Sequence, residues 1–240
     1  MSTTIPAFVD KELALLGLEL PQGRLEQMSA YLDLLLDANQ RVNLTAVRQH
    51  DAAWRRHIID SLTILRLLES GGPGELIDVG SGGGLPGIPL AIARPEWSIG
   101  LLEATGKKVR FLRDCISQLG LRGLRVVHGR AEEVGRDPAH RNHYQAAVCR
   151  AIGPMRELLE YTLPLVRIGG QVLAMKGPDI QKELDQAGDG LVKLGGGAVE
   201  VLPAYPSQFK VNTVIVKIHK KHPTPATYPR RPGLPRNEPL

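Results

Sequence analysis

Asp78-Val79-Gly80-Ser81-Gly82-Gly83-Gly84-Leu85-Pro86-Gly87 is the stretch on which the fold of this 240-residue chain turns. The short apolar run Glu75-Leu76-Ile77 ahead of it predicts a buried strand, and Ile88 to Arg94 behind it predicts a helix. Strand, glycine turn and helix form a nucleotide-binding layout. Glycines at 80, 82 and 84 let the backbone approach a ligand, and the helix N-terminus offers free N–H groups. The spacing is G-x-G-x-G, with Leu85 where the third glycine of a dinucleotide fingerprint would stand. No Gly-Lys-Ser or Gly-Lys-Thr follows, which excludes a P-loop. Asp78, two places before the first glycine, would crowd a pyrophosphate but could accept hydrogen bonds from an amino-acid ammonium. The turn therefore reads as a site for S-adenosylmethionine rather than NAD, with a purely structural glycine turn as the bland alternative.

Residues 1–70 read as a helical cap. Leu13, Leu16 and Leu20, then Leu25, Met28, Leu32, Leu35 and Leu36, fall at helical steps, and Ile58, Leu62, Leu65 and Leu68 share one face of a helix predicted from Ala52 to Leu68. Pro21-Gln22-Gly23 separates the first two helices, and the turn-rich run Glu69 to Gly74 is a hinge. Strands are then predicted at 75–80, 98–103, 124–128, 145–149 and 170–175, alternating with helices at 88–94, 106–119, 154–163 and 179–193. Two more strands, 199–202 and 213–218, suit a closing hairpin at the sheet edge. The fold class is α/β, Rossmann-like, with a mostly parallel seven-stranded sheet. Its predicted parts are the cap, a cofactor-binding domain at 71–219 and a basic, proline-rich tail at 220–240.

Ligands of such sheets lie beyond the carboxyl ends of the strands, so the strand ends form a site list. Glu103, 25 positions after Asp78, stands near the spacing at which a carboxylate meets ribose hydroxyls. Gly129-Arg130-Ala131-Glu132-Glu133 offers a backbone N–H and a carboxylate to an adenine edge. The fourth and fifth strands end in Cys149-Arg150-Ala151 and Met175-Lys176-Gly177, so Arg150 and Lys176 are expected to face the second substrate. Two polar clusters in the cap, Asn39 with Arg41, Asn43 and Thr45, and Arg55 with Arg56, His57, Asp60 and Ser61, read either as capping and packing or as lining of a substrate cleft.

A hydrophobic content of 42% and a charged content of 23% are those of a globular protein, not of a disordered or fibrous chain. The first ten residues carry no secretory pattern and no window approaches a membrane span, so a cytoplasmic protein is expected. Cys115 and Cys149 read as buried thiols, and His140 with His143 lacks a third ligand, so no metal is expected. The net charge of +5 resides in Lys217, Lys220, Lys221, Arg230, Arg231 and Arg236 against the single Glu238, and a second basic run spans Lys107 to Arg150. That distribution points to a polyanion such as RNA, against the alternative of solvated helix faces and a loose tail.

Asp78 to Pro89, Lys107-Lys108-Val109-Arg110-Phe111-Leu112, Arg130-Ala131-Glu132-Glu133, Cys149-Arg150-Ala151, Ala174-Met175-Lys176-Gly177 and Thr227-Tyr228-Pro229-Arg230-Arg231-Pro232-Gly233 together resemble the RsmG family, also called GidB. The likeness runs from Asn39-Gln40-Arg41-Val42-Asn43-Leu44-Thr45 through the tail. It implies a class I S-adenosylmethionine-dependent methyltransferase acting on N7 of a guanine in 16S ribosomal RNA, guanine 527 in the family's usual RNA numbering. The substrate would be that RNA or the small ribosomal subunit, and a monomer without metal or membrane is expected. The resemblance implies cofactor contacts at Gly80, Leu85, Glu103, Ala104, Thr105, Ala131, Glu132 and Arg150. Glu103 stands where some members have Asp, and Cys149 where many have Ser; the carboxylate is kept, and residue 149 can simply be packed.

N7 of free guanine is an unprotonated acceptor, so in-line attack on a sulfonium methyl needs no general base. Catalysis then rests on positioning, which supplies about 7–11 kcal/mol in good geometry. No Asn-Pro-Pro-Tyr or Asp-Pro-Pro-Tyr follows the fourth strand, the sequence that holds an exocyclic amine in amino-methylating enzymes. Phosphates are expected on Lys107, Lys108, Arg110 and Arg113 and on Lys220, Lys221, Arg230 and Arg231. Trp54, Tyr144, Tyr161 and Phe209 are candidates for stacking the base. Three other readings compete. A small-metabolite methyltransferase would tolerate deletion of residues 217–236; the others are an RNA-binding module with a vestigial cofactor site and an NAD-dependent oxidoreductase.

Overall fold

A computed structural model describes residues 5–68, 74–209 and 211–240. The predicted hinge lies outside the described residues except for Gly74. Helices α1 (Val9–Leu15) and α2 (Gln22–Ala38) precede α3 (His50–Ala53), a π-helical stretch at Trp54–Ile59, α4 (Asp60–Leu62) and α5 (Leu65–Leu68). The chain then runs through β1 (Glu75–Val79), α6 (Gly87–Ala93), β2 (Ser98–Glu103), α7 (Gly106–Leu119), β3 (Leu124–His128), α8 (Ala131–Val134), β4 (Tyr144–Arg150) and α9 (Met155–Thr162). It ends with β5 (Val166–Lys176), α10 (Ile180–Ala187), α11 (Gly190–Lys193), β6 (Gly196–Pro203), β7 (Val214–Lys220) and α12 (Leu234–Asn237).

The seven strands form one sheet in the order β3-β2-β1-β4-β5-β7-β6. Strands β1 to β5 are parallel, and β7 runs antiparallel between β5 and β6. The closing hairpin is present, with β6 rather than β7 outermost. Two-residue periodicity divides the sheet into two buried faces. Leu76, Ala146, Val148, Leu173 and Met175 enter one apolar cluster; Ile77, Val79, Ala147, Cys149, Val172 and Ala174 enter the other. Both cysteines are buried and unpaired.

The helical cap has no core of its own. Val9, Leu13, Leu25, Met28, Tyr31, Leu32, Leu35, Trp54 and Ile58 pack into the same cluster as the first sheet face and α6. Two helix expectations need correction. The segment 52–68 is not one helix with a single apolar face: it is broken, and Ile58, Ile59, Leu62, Ile64 and Leu65 are all at most 1% exposed. A segment wedged between other helices and a sheet buries its whole circumference. The helix predicted over 179–193 is two, α10 and α11, because Gly188 ends the first. Among the described residues no helix is long and apolar enough to cross a membrane.

The basic tail predicted at 220–240 is a strap, which removes the alternative of a loose tail. Residues 214–220 are an inner strand of the sheet, and the Arg141 guanidinium donates to the carbonyls of Gly135, Thr224, Pro225 and Tyr228. Arg136 donates to the Thr227 and Pro229 carbonyls. Deleting 217–236 would therefore remove part of a strand and this strap, and cannot separate an RNA enzyme from a metabolite enzyme.

The cap is bonded to the glycine turn through the buried Tyr31 hydroxyl, which donates to the Gly83 carbonyl at 2.8 Å. Tyr31→Phe leaves that carbonyl without its partner. A loss of about 1–3 kcal/mol in unfolding free energy is expected by denaturant titration. A variant as stable as the parent would show the bond to be dispensable.

Candidate cofactor site

The glycine turn is shaped by its backbone. Gly80 has φ +73°, and a Cβ there would stand 2.5 Å from Ile152 Cγ2; Gly84 has φ +94°, and a Cβ would stand 2.3 Å from Ile88 Cδ1. Gly80 N and Ser81 N both donate to the Leu102 carbonyl, at 2.9 and 3.0 Å. Three side chains hold the rest of the turn. Gly82 N donates to Glu103 Oε2 at 3.0 Å, Gly87 N to Asp78 Oδ2 at 3.0 Å, and Tyr31 bonds Gly83. Thr105 N donates to Glu103 Oε1 at 2.7 Å, so one carboxylate ties the first strand-end turn to the second.

A cavity of about 520 Å³ opens at the carboxyl ends of β1 to β4, a size that suits a cofactor. Its walls include Val79 and Gly80 at the end of β1, Leu102 to Thr105 at the end of β2, Gly129 to Glu132 after β3, and Ile152 to Pro154 after β4. Glu157 and Tyr161 of α9 and Arg236 of α12 complete it. Each Glu103 oxygen accepts one amide N–H and keeps capacity for another donor, as a ribose diol requires.

Of the sequence-predicted cofactor residues, Gly80, Glu103, Ala104, Thr105, Ala131 and Glu132 line this cavity. Asp78, Gly82, Gly84, Leu85 and Arg150 are not among its lining residues. Asp78 is 0% exposed and turned beneath the loop toward Gly87 N; its Oδ1 has no partner, and burial pushes its carboxyl up to about 7. It is a brace for the turn rather than an acceptor for an ammonium. Leu85 is 5% exposed and belongs to the core. The lining residues that sequence reasoning missed are of two kinds. Ile152 to Pro154 lie just past a strand end and were within reach of the strand-end rule, whereas Glu157, Tyr161 and Arg236 come from helices that only packing brings to the cavity.

Arg150 and Lys176 are not free cations facing a second substrate. Lys176 Nζ donates to the Gly153 carbonyl at 2.6 Å and pairs with Glu183 at 2.7 Å, fixing the loop after β4. Arg150 Nη1 donates to the Arg56 carbonyl at 2.6 Å and lies 3.4 Å from Asp60 Oδ2. Its Nη2 is 3.5 Å from His57 Nδ1, whose Nε2 is 2.8 Å from Thr45 Oγ1. The Tyr205 hydroxyl donates to Asp60 Oδ1 at 2.9 Å, and Asn39 caps Leu44 N and Thr45 N. Asn39 and Thr45 of one polar cluster and Arg56, His57 and Asp60 of the other thus join in one network around Arg150, while Arg41 pairs with Asp37 and Arg55 with Glu12, which supports the capping and packing reading.

The basic residues divide likewise. Lys107, Arg110, Arg113, Lys221 and Arg231 are exposed and Lys108 is half-buried. Lys220 is 1% exposed, donating to the Leu163 and Leu194 carbonyls and to Thr224 Oγ1, so it is withdrawn from any phosphate set. Arg230 pairs with Glu160, which is 0% exposed, and is likewise withdrawn. Among the aromatic candidates Trp54 and Tyr144 are fully buried and cannot stack a base, Phe209 packs on Tyr205, and Tyr161 alone lines the cavity. Among the described residues no group of three or more His, Cys, Asp or Glu is placed to hold a metal.

A seven-stranded sheet of this order with a cavity beside a glycine turn and a strand-two carboxylate defines a class I S-adenosylmethionine-dependent methyltransferase. The fold matches that of a protein of Methanococcus maripaludis assigned as an S-adenosyl-L-methionine-dependent methyltransferase, with a TM-score of 0.56 and 14% identity over 82% of this chain and 94% of that one. A family profile described as GidB, rRNA small subunit methyltransferase G, matches residues 24–204. Proteins called ribosomal RNA small subunit methyltransferase G from Moorella thermoacetica and a Roseiflexus species are 42% and 44% identical to it. Each alignment covers 93% of this chain, and 93% and 95% of the respective relative. The chain belongs to the rRNA small subunit methyltransferase G family.

Burial, and then the Arg150 charge, push His57 down to about 4 from 6.5. A base depressed in the folded state makes the unfolded chain bind more protons between those values. Its contribution to stability is therefore present above about 6.5 and lost as pH falls toward about 4. Asp78, raised to about 7 from 3.8, acts in the opposite sense. The comparison must accordingly be between parent and variant. Melting temperatures of the parent should fall more steeply from pH 7 to pH 5 than those of His57→Gln, and parallel curves would remove His57 from the account.

Proposed function

We propose that this methyltransferase transfers the methyl group of S-adenosylmethionine to N7 of a guanine in 16S ribosomal RNA, in the bacterial cytoplasm. The observation that carries the ring-nitrogen assignment is the segment after β4. There Arg150 is bound into the Asp60 and His57 network, Ala151 has φ +56°, and Ile152, Gly153 and Pro154 follow. That segment offers no side-chain amide or hydroxyl to grip an exocyclic amine and no base to deprotonate one, whereas N7 presents a lone pair that needs neither.

When bound, S-adenosylmethionine supplies an electrophilic methyl on sulfur. The protein's part is placement. Glu103 would accept the ribose hydroxyls, Gly80 leaves room for close backbone approach opposite Ile152, and residues Gly129 to Glu132 would flank the adenine. Exposed Lys107, Lys108, Arg110, Lys221 and Arg231 would hold RNA phosphates. With that many cations engaged, RNA affinity should fall with salt on a log-log slope of about −3 to −5.

The direct test is transfer of labelled methyl from the cofactor to small-subunit ribosomal RNA, followed by mapping of the modified base. Label at a guanine N7 is expected; label on another atom, or on no RNA, would overturn the reading. Gly80→Val should abolish binding of S-adenosylhomocysteine in calorimetry while the protein stays folded, because its Cβ meets Ile152. An affinity almost indifferent to salt would rule out the phosphate contacts.

A further inference from the structure

The basic C-terminal strap is expected from charge to serve RNA, yet its fastenings point elsewhere. Arg230 makes a multidentate pair with the fully buried Glu160 of α9, with Arg230 Nη2 2.7 Å from Glu160 Oε2. Three residues on, Gly233 N donates to Oε1 of Glu132 at 2.9 Å, and Glu132 itself lines the cofactor cavity. Leu240 packs against Gly190 at the start of α11. The strap is thus pinned on both sides of α12, and α12 carries Arg236 into the wall of the cavity that Glu103, Glu132 and Tyr161 also line, close enough to Tyr161 for its charge to act on that hydroxyl. Among the described residues no carboxylate forms an ion pair with Arg236, which is exposed and lines the cavity.

We infer that Arg236 is a cofactor-binding residue that contacts the adenosine moiety, and that the strap exists to deliver it. This rests on the S-adenosylmethionine reading of the cavity. In that reading the β1 turn takes the amino-acid end and Glu103 the ribose, leaving the adenine toward β3. Glu132, at the β3 side, is where the strap is tied. A planar guanidinium there can lie on the face of a purine or donate to its ring nitrogens. Such a contact explains a strap fastened by two buried carboxylates: an arginine on a loose tail would lose its conformational entropy on every binding event, whereas one held by Glu160 and Glu132 is placed beforehand.

Calorimetry of the full chain with S-adenosylhomocysteine, and separately with adenosine, tests this. Arg236→Ala should weaken both ligands by about five- to thirty-fold, Arg236→Lys should recover part of the loss, and all variants should melt within a few degrees of the parent. Asn237→Ala, an exposed change in the same short helix, should bind like the parent. Equal affinity of Arg236→Ala and the parent would overturn the inference while leaving the cofactor site standing. So would an equal loss in Asn237→Ala, which would indicate a loosened helix rather than a contact. A loss for S-adenosylhomocysteine with none for adenosine would displace Arg236 to the amino-acid end and overturn it as well. A parent chain that binds neither ligand would overturn the cofactor reading itself.

Discussion

The turn between β1 and α6 is rich in glycine, and it keeps one shape because three side chains from outside it hold it. Asp78 fastens Gly87, Glu103 fastens Gly82, and Tyr31 fastens Gly83. Glycines lose more conformational freedom on folding than any other residue, so a run of them needs such external bonds to be rigid. Each of the three comes from a different element: β1, the end of β2, and α2 of the N-terminal region. The cofactor cavity depends on all of them, because its first wall is this turn.

The same economy governs the cations held against the chain. Lys176, Arg150, Lys220, Arg230, Arg136 and Arg141 each satisfy backbone carbonyls or buried carboxylates. An isolated buried charge is costly, and the buried Lys220 is tolerated because its donors are met. Their common effect is to lock irregular segments that lack a sheet or helix of their own: the loop after β4, the strap after β7 and the junction of the cap with the sheet. Function in this protein is carried on loops, and the cations supply the order that the loops lack.

Much of the architecture was readable from local pattern. Strands β2 and β3 fall where alternation and flanking turns put them, and α7 follows from Val109, Leu112 and Cys115 at helical spacing with Gly120 as its cap. The pocket residues at strand ends, Gly80, Glu103 to Thr105 and Ala131 with Glu132, were readable for a topological reason: parallel strands place their carboxyl ends on one rim. The failures share a cause too. Asp78, Arg150, Lys176, Lys220 and Arg230 were each read by charge and chain position, and charge does not reveal which way a side chain points. The break at Gly188 was a local signal passed over, a glycine at a helix end, whereas the π-helical turn at Trp54–Ile59 and the break at Thr63 and Ile64 lie in a segment buried on all sides.

By itself the sequence determined the order of strands and helices, the glycine turn and the carboxylate that faces it, since periodicity and residue chemistry act over a few positions. Only the tertiary structure decided that the cap and the sheet share a core, that Lys220 and Arg230 of the basic tail are consumed in fastening it down, and that Arg236 reaches the cavity. Those outcomes join residues about a hundred positions apart, as Arg150 is joined to Arg56, Arg141 to Thr224 and Gly233 to Glu132. Contacts at that range are set by how the layers pack, and no local pattern records them.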